Sequence, residues 1–290
     1  MLRKEVMELL APQAGESVLD VTVGLGGHAQ AFLEAIGPSG HLIGLDADEE
    51  NLRVAREQLR APNVELMHAN FRDLQLLSLP QQDIIFADLG LSSPHVDDPS
   101  RGFSFRGDAP LDLRFDRRKG VTAAQMLTRF NERQIAGILR EYGELDRPAK
   151  LARIMGQAEP QTTGAMRACV EEMYGHRAPR VLPQVFQALR IAVNDELGAL
   201  DIFLIEGPKL LKSGGHMAVI SYHSLEDRKV KRAFRQLSTA TQDALTGATK
   251  EAASFILCTK KPVTPSDEEV RKNPRSRSAR LRILQRTLAS

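Results

Sequence analysis

Cysteine is scarce in this 290-residue chain: Cys169 and Cys258 stand far apart, with no further ligand at metal-binding spacing. That argues against a disulfide framework and against a zinc site or other metal centre. It favours a reducing compartment in which both thiols serve as small core residues. Long apolar runs are missing as well. No stretch approaches the roughly 20 residues of a membrane span, and the N-terminus has no signal-peptide pattern. A soluble cytoplasmic protein without a membrane partner is therefore expected. Nor is there a surplus of charge: 39 basic against 37 acidic residues leave a net charge of +2. Any site for a polyanion must be local. No internal repeat is visible.

What the sequence does have is a dense stretch from Val18 to His28, followed by Asp46 at the end of the next apolar run. Residues 17 to 23 are rich in β-branched side chains and predict a buried strand. Gly24, Gly26 and Gly27 then allow backbone angles and a close approach that a Cβ would forbid. The run from His41 to Asp46 ends in a carboxylate roughly 20 residues beyond the glycines, the spacing that lets an acid hold a ribose diol in a βαβ unit. A free carboxylate there disfavours a 2′-phosphorylated cofactor. Gly24-x-Gly26-x-x-Ala29 also fits the loose dinucleotide fingerprint, so the turn alone does not separate NAD from S-adenosylmethionine. A tight turn without any ligand is the plainer alternative, which Asp20 and Asp46 at two neighbouring strand ends weaken.

Strand and helix signals alternate over residues 1 to 93: helices at 3–10, 27–35 and 49–59, strands at 17–23, 41–46, 64–69 and 83–88. That order implies a parallel sheet with right-handed crossovers and a ligand crevice at the carboxyl ends of its strands. From Thr122 to about Tyr174 only helical signals appear, with Asn131 a candidate cap for a helix over 132–142. Val185, Leu189, Val193, Leu197, Leu200 and Leu204 recur every three to four residues, which predicts one long amphipathic helix over 184–204. Gln187, Arg190 and Asn194 share another of its faces. Strands return at 215–222, 254–258 and 278–284, and residues 239–252 read as a polar surface excursion. The fold class is α/β, a Rossmann-like sheet interrupted by a helical insert: residues 1–103 and 195–290 form the sheet domain and 104–194 the insert.

Several clusters could carry chemistry. Asp88, Ser92, Ser93 and Pro94 follow the fourth strand, where an acceptor would be held; a capped turn is the alternative. Asn70 and Phe71 follow the third strand, placed to meet a base edge and a base face, though Phe71 fits a core equally well. The segment from Arg101 to Asp116 interleaves arginine with phenylalanine, a composition suited to single-stranded RNA. An internally paired loop, Arg101 with Asp98 or Arg114 with Asp112, explains it equally. His223 closes the fifth strand ahead of a basic helix and has a side chain suited to proton transfer near neutrality. The stretch from Arg271 to Arg282 has no acid, which favours a polyanion partner.

Together these segments closely resemble the RsmH (MraW) family of bacterial 16S ribosomal RNA cytosine-N4 methyltransferases. The resemblance rests on Asp20-x-Thr-x-Gly-x-Gly-Gly-His28, Asp88-Leu-Gly-x-Ser-Ser-Pro94, Arg101-Gly-Phe-Ser-Phe105, Leu111-Asp-x-Arg114, Phe186-Gln-Ala-Leu-Arg-Ile-x-Val-Asn-Asp-Glu-Leu197, His223-Ser-Leu-Glu-Asp-Arg228 and Asn273-Pro-Arg-x-Arg-Ser278. These run in order along almost the whole chain. The resemblance implies a methyltransferase sheet with a helical substrate-recognition insert, S-adenosyl-L-methionine as cofactor, and a decoding-region cytidine of 16S ribosomal RNA in the small subunit as substrate. By motif position it implies cofactor contacts at Gly26, Gly27, His28, Asp46, Phe71, Asp88 and His95, with Asp88 and His223 catalytic.

Three positions depart from the family pattern. His95 stands where glutamine is usual, Leu145 follows Tyr142-Gly143-Glu144 where a second glutamate is usual, and no His-x-Pro-Val segment precedes the first helix. On this reading the Arg101–Arg114 segment, the Gln187/Arg190/Asn194 face and the basic C-terminal run form one RNA surface. A nicotinamide-dependent dehydrogenase would share the first βαβ unit but leave the serine–proline and His223 segments without a purpose. A non-catalytic RNA-binding or assembly factor would keep the cofactor without turnover.

Overall fold

Strands form where apolar and β-branched residues cluster. The computed structural model describes residues 1–242, 249–251 and 253–288 and places most of these strands in one seven-stranded sheet. In chain order the strands are β1 (Ser17–Asp20), β2 (His41–Asp46), β3 (Val64–His68), β4 (Gln82–Asp88), β5 (Leu211–Ser221), β6 (Thr241–Gln242), β7 (Thr249–Glu251), β8 (Phe255–Leu257) and β9 (Arg280–Arg286). The sheet runs β3-β2-β1-β4-β5-β9-β8, while β6 and β7 pair separately. Pairings from β3 through β5 are parallel; β9 runs antiparallel to β5, and β8 to β9.

The helices are α1 (Arg3–Leu10), α2 (Gly27–Ile36), α3 (Glu49–Gln58), α4 (Ser93–Asp97), α5 (Ala123–Arg129), α6 (Glu132–Glu141), α7 (Pro148–Ala158), α8 (Thr163–Tyr174), α9 (Ala178–Asn194), α10 (Glu196–Glu206), α11 (Ser224–Leu237) and α12 (Asp267–Lys272). None is long and apolar enough to cross a membrane. The chain divides into two compact units, one of Met1–Gly90 with Gly198–Ser290 and one of Leu91–Leu197.

In the first unit the sheet is covered on both faces, as parallel strands require. Val18, Ile84, Phe86, Ala218 and Ile220 point to the side packed by Val6, Phe32 and Ile36 of α1 and α2. Their neighbours Leu19, Ile85, Ala87, Met217 and Val219 are buried too, on the opposite face by the period of two. The strand order reverses at β1, which pairs with β2 on one side and β4 on the other. In such sheets the crevice for a ligand opens at that point, beyond the carboxyl ends. There β1, β2 and β4 end in Asp20, Asp46 and Asp88.

The second unit is helical and has its own core. Leu139 of α6, Leu151 and Met155 of α7, Met166 and Val170 of α8, and Val185 and Leu189 of α9 are fully buried in it. Asn131 caps α6 in a reciprocal arrangement with Gln134, as its sequence predicts.

Three expectations are corrected, and a fourth lies largely outside the described residues. The strand expected over 17–23 ends at Asp20, because Thr22 turns its backbone N–H onto Asp20 Oδ1 at 3.0 Å and its hydroxyl accepts from the Asp88 N–H at 2.6 Å. The single helix expected over 184–204 is broken: α9 ends at Asn194, Asp195 takes a left-handed φ of 48°, and α10 begins at Glu196. The break is held by side chains. Arg190 spans it with two bonds to Glu196, at 2.8 and 2.9 Å, and Asn194 donates to Leu113 O at 2.7 Å and accepts from Phe115 N at 2.8 Å. Cys169 is buried, but Cys258 is exposed beside the edge strand β8, so only the first is a core residue. Of the excursion expected over 239–252, residues 243–248 and 252 lie outside the described residues, and the flanking β6 and β7 are strands.

Candidate active site

The site is built by three strand ends and one turn of the first unit. After β1 the chain turns through Gly24 and Gly26, whose φ of 53° and 94° L-residues rarely adopt, and enters α2 at Gly27. No side chain caps α2, so its first backbone N–H groups are open to a ligand. A Cβ at Gly27 would meet nothing within 4 Å, which leaves room above the backbone there. Asp46, at the end of β2, is fixed rather than floppy. Its Oδ2 accepts from Gly24 N and its Oδ1 from Asp48 N, both at 2.8 Å. The acid and the glycine turn are thereby locked to each other.

Two buried groups in this turn have polar atoms without a hydrogen bond. Asp20 is 1% exposed and its Oδ2 has no partner among the described residues. Burial, reinforced by Asp88 and Asp46, pushes its carboxyl up to about 8. The His28 ring packs on that of Phe86, tilted by 45° with centroids 4.6 Å apart, and its Nδ1 likewise makes no hydrogen bond among the described residues. Burial pushes its imidazole down to about 3. The ring is therefore neutral at pH 7, and its 3.6 Å contact with Asp88 Oδ2 is not an ion pair.

Asp88 closes β4. Its Oδ1 accepts a 2.6 Å bond from the Tyr222 hydroxyl. Burial raises its carboxyl to about 6 even so, the Tyr222 bond acting in the opposite direction. Tyr222 was missed by sequence reasoning, which settled on its neighbour His223. The available signal was the parallel register: Asp88 pairs with Ile220, so the chain just past β5 runs beside the chain just past β4. An aromatic hydroxyl there can reach the acid.

His223 caps α11. Its Nδ1 accepts from Glu226 N at 3.5 Å, and its Nε2 lies 3.1 Å from Glu226 Oε1, off the line of a hydrogen bond. The other Glu226 oxygen accepts from the backbone of Tyr222 at 2.8 Å and of His223 at 3.3 Å. One buried glutamate thus fixes the corner that carries both residues. Phe71 is half-buried, with its ring 5.5 Å from that of Phe203. Asn70 spends its side-chain oxygen on Arg72 N, capping the turn rather than facing outward.

Among the sequence-predicted residues, Gly26, Gly27, His28, Asp46, Phe71, Asp88 and His223 all fall in the first unit, whereas His95 belongs to the second. His95 is 3% exposed. Its Nδ1 receives the Ser92 N–H at 3.1 Å, and its ring packs on Phe103 and Phe115. Ser92 to Pro94 form the capped start of α4, the plainer of the two readings of that segment.

The arginine–phenylalanine segment is also largely satisfied within itself. Arg114 grips Asp112 with bonds of 2.7 and 2.9 Å, and Arg101, 1% exposed, donates to Arg114 O and Phe115 O at 3.0 Å. Gln187 donates to Tyr142 O at 3.3 Å. Together with the bonds of Arg190 and Asn194 across the helix break, this makes the face expected for RNA mainly structural. In the basic C-terminal run, Arg280 and Arg282 close on Asp227 at 3.1 and 2.7 Å, while Arg271 and Arg277 are exposed.

This arrangement fits an adenosine-bearing ligand with a cationic end. A glycine cradle opens onto a helix start, a fixed acid stands level with it, a half-buried ring lies beyond β3, and a buried carboxylate oxygen lacks a donor. The family model for the MraW methylase family matches residues 1–287. The chain belongs to this family. The ribosomal RNA small subunit methyltransferase H of Cyanothece sp. is 42% identical to it over 291 residues, covering 99% of this chain and 93% of that protein. The protein of the same name from Syntrophotalea carbinolica is 43% identical over 303 residues, covering 99% and 96%. That from Bacteroides fragilis is 38% identical over 298 residues, covering 99% and 96%. Membership in a methylase family removes the dehydrogenase reading of the glycine turn.

Proposed function

We propose that this protein transfers a methyl group from S-adenosylmethionine to the exocyclic N4 of a cytidine in the decoding region of 16S ribosomal RNA, acting on the small ribosomal subunit. The family, the names of the relatives and the fit of the glycine turn support the donor. The observation that carries the reaction class is Asp88, a carboxylate of raised pKa at the switch point of the sheet, oriented by Tyr222. Cytosine N4 is a weak nucleophile because its lone pair is delocalised into the ring. Catalysis must align it and accommodate the positive charge that grows on nitrogen.

When bound, S-adenosylmethionine supplies a methyl group on a positively charged sulfur. Gly26, Gly27 and the start of α2 hold the donor's backbone-facing side, Asp46 the ribose, Phe71 the adenine, and Asp20 and His28 offer their unpartnered atoms to its polar groups. Asp88 accepts a hydrogen bond from the N4 amine, which draws electron density onto nitrogen and holds it still. The Tyr222 hydroxyl fixes the carboxylate rotamer while Asp88 does so. His223 is the second proton acceptor in this scheme, and a proton arriving at its ring would meet the Glu226 carboxylate. His95 is proposed as a cofactor contact only in the position its motif gives it. The helical unit is proposed as the part that recognises RNA, and the cytoplasm as the compartment.

Labelled methyl transfer into small subunits, followed by mass mapping of the modified nucleotide, tests this reading. Incorporation at N4 of one cytidine is the expected result. Transfer to another base, to a ring carbon, or to no RNA at all overturns it.

A further inference from the structure

Beyond the crevice, the first unit has a second concavity of about 230 Å³ between α11 and the β8–β9 edge of the sheet. Lys231 and Arg235 reach it from α11 and Lys260 from the segment after β8, over a floor that includes Phe234 and Leu257. All three cations are exposed, and among the described residues no acidic side chain lines the cavity. Other basic side chains of this unit are matched: Lys229 to Asp201 at 2.6 Å, Lys212 to Asp83 at 2.6 Å, and Arg282, which also lines this cavity, to Asp227 at 2.7 Å. In a chain with a net charge of only +2, three cations clustered around one hollow that no acid of the described residues lines are a local excess that repels itself until an anion enters. Thr259 adds a hydroxyl at the cavity wall whose oxygen already accepts from Ile283 N at 2.9 Å, leaving its proton to donate.

The position of the cavity gives it a role. α11 starts at the His223 corner beside the crevice and carries Lys231 and Arg235 away from it. At the helical rise these residues lie about 12 and about 18 Å along the axis from His223. That is the reach of a few nucleotides of extended strand. We propose that this groove binds the sugar–phosphate backbone of the RNA substrate next to the target nucleotide, with Lys231, Arg235 and Lys260 on phosphate oxygens and the apolar floor under a ribose. The proposal rests on the ribosomal RNA reading above. It adds three phosphate-binding cations, Lys231, Arg235 and Lys260, that lie outside the expected RNA-facing segments; of those segments only Arg282 reaches the cavity.

The test compares four proteins for binding to isolated small ribosomal subunits that lack the modification, over a series of salt concentrations. They are the wild type, Lys231→Ala/Arg235→Ala/Lys260→Ala, the charge-keeping Lys231→Arg/Arg235→Lys/Lys260→Arg, and a control that removes as many cations from other faces, Lys4→Ala/Arg53→Ala/Arg60→Ala. Calorimetry with S-adenosylmethionine verifies that each is folded. The alanine triple should bind roughly 10- to 50-fold more weakly near physiological salt, and the slope of log affinity against log salt should fall by about 2. The charge-keeping triple should restore most of both, and the control should change little. Should the alanine triple fail to fold, Lys260→Ala alone should lower the slope by about 1. Wild-type binding with an unchanged alanine triple overturns the groove and leaves the functional reading standing, as does a control that loses as much as the groove variant. A wild type that neither binds nor methylates small subunits overturns both.

Discussion

Asp20 gives the sharpest quantitative test of the site. Its carboxyl is 1% exposed, with one oxygen bonded to Thr22 N and the other to nothing. Burial lifts its pKa from 3.8 to about 8. The folded protein therefore keeps this proton up to about pH 8, whereas the unfolded chain gives it up near pH 4. Between those values folding takes up one proton at Asp20. Stability on its account is greatest below the unfolded pKa and falls by about 1.4 kcal/mol per pH unit until the folded pKa is passed.

Across the whole window the loss is roughly 3–5 kcal/mol, allowing for relaxation around the ionised group. Asp20→Asn keeps an oxygen for Thr22 N and has no proton to exchange. Its amide group still lacks a partner, at a cost of about 1–3 kcal/mol that does not vary with pH. The decisive quantity is therefore the difference in slope, not the offset. Urea unfolding of both proteins from pH 4.5 to 8.5, without cofactor, should show the variant gaining on the wild type steadily as pH rises. S-adenosylmethionine should bind the variant far more weakly, because Asp20 can release its proton to meet a cationic end and a neutral amide cannot. Parallel stability curves over that range would refute the assignment of a buried, proton-holding Asp20.

Four further outcomes follow from the same geometry. Asp88→Asn should slow single-turnover methyl transfer by about 10²- to 10⁴-fold while S-adenosylmethionine affinity, measured by calorimetry, changes far less; a rate within threefold of wild type would remove Asp88 from the chemistry. Tyr222→Phe takes away the hydrogen bond that lowers the Asp88 pKa, so the acidic limb of the pH–rate profile should move from about pH 6 toward neutrality, with nearly wild-type rates recovered at high pH. Arg190→Ala removes both bonds across the α9–α10 break and leaves a largely buried Glu196 without its two-armed partner, a loss of about 2–4 kcal/mol in denaturant unfolding. Gly26→Ala forces a side chain onto a φ of 94° and within 3.3 Å of Leu59; about 1–2 kcal/mol of stability and most of the cofactor affinity should go together.

Much of the sheet was legible because its signals are local. A parallel strand buried on both faces must be a short apolar run, and β2, β3 and β4 were expected within a residue or so of where they lie. The acids at the ends of β2 and β4 were legible for the same reason, since a charged residue that ends an apolar run marks the edge of the core, whereas β1 stops at Asp20, short of the run expected to reach residue 23. The Asn131 cap needs only its own neighbours. The helix break at Asp195 was not legible. The apolar spacing runs on through Val193, Leu197, Leu200 and Leu204 as though nothing happened, and periodicity senses only that face. What breaks the helix lies on the other face and in another part of the chain, where Leu113 and Phe115 meet Asn194 across 81 and 79 residues.

The arginines show why the functional reading of charge was harder than that of apolar pattern. A guanidinium carries five donors, and a folded chain offers it carbonyls as readily as a nucleic acid offers phosphates. Arg101 and Arg114, which look like a nucleic-acid face in sequence, spend those donors on Arg114 O, Phe115 O and Asp112. Lys231 and Arg235 lie on the helix that the sequence marks as basic, but Lys260 drew no notice. Yet the three converge on a hollow that no acid of the described residues lines, because Lys260 arrives from a segment beyond β8 that the helix pattern does not include. A cation's availability is decided by what the fold puts beside it. In this protein Arg101, Arg114, Arg190 and Arg282 are bound to the chain itself, while Arg271 and Arg277 stay exposed, so sequence alone does not sort the arginines of one expected RNA surface.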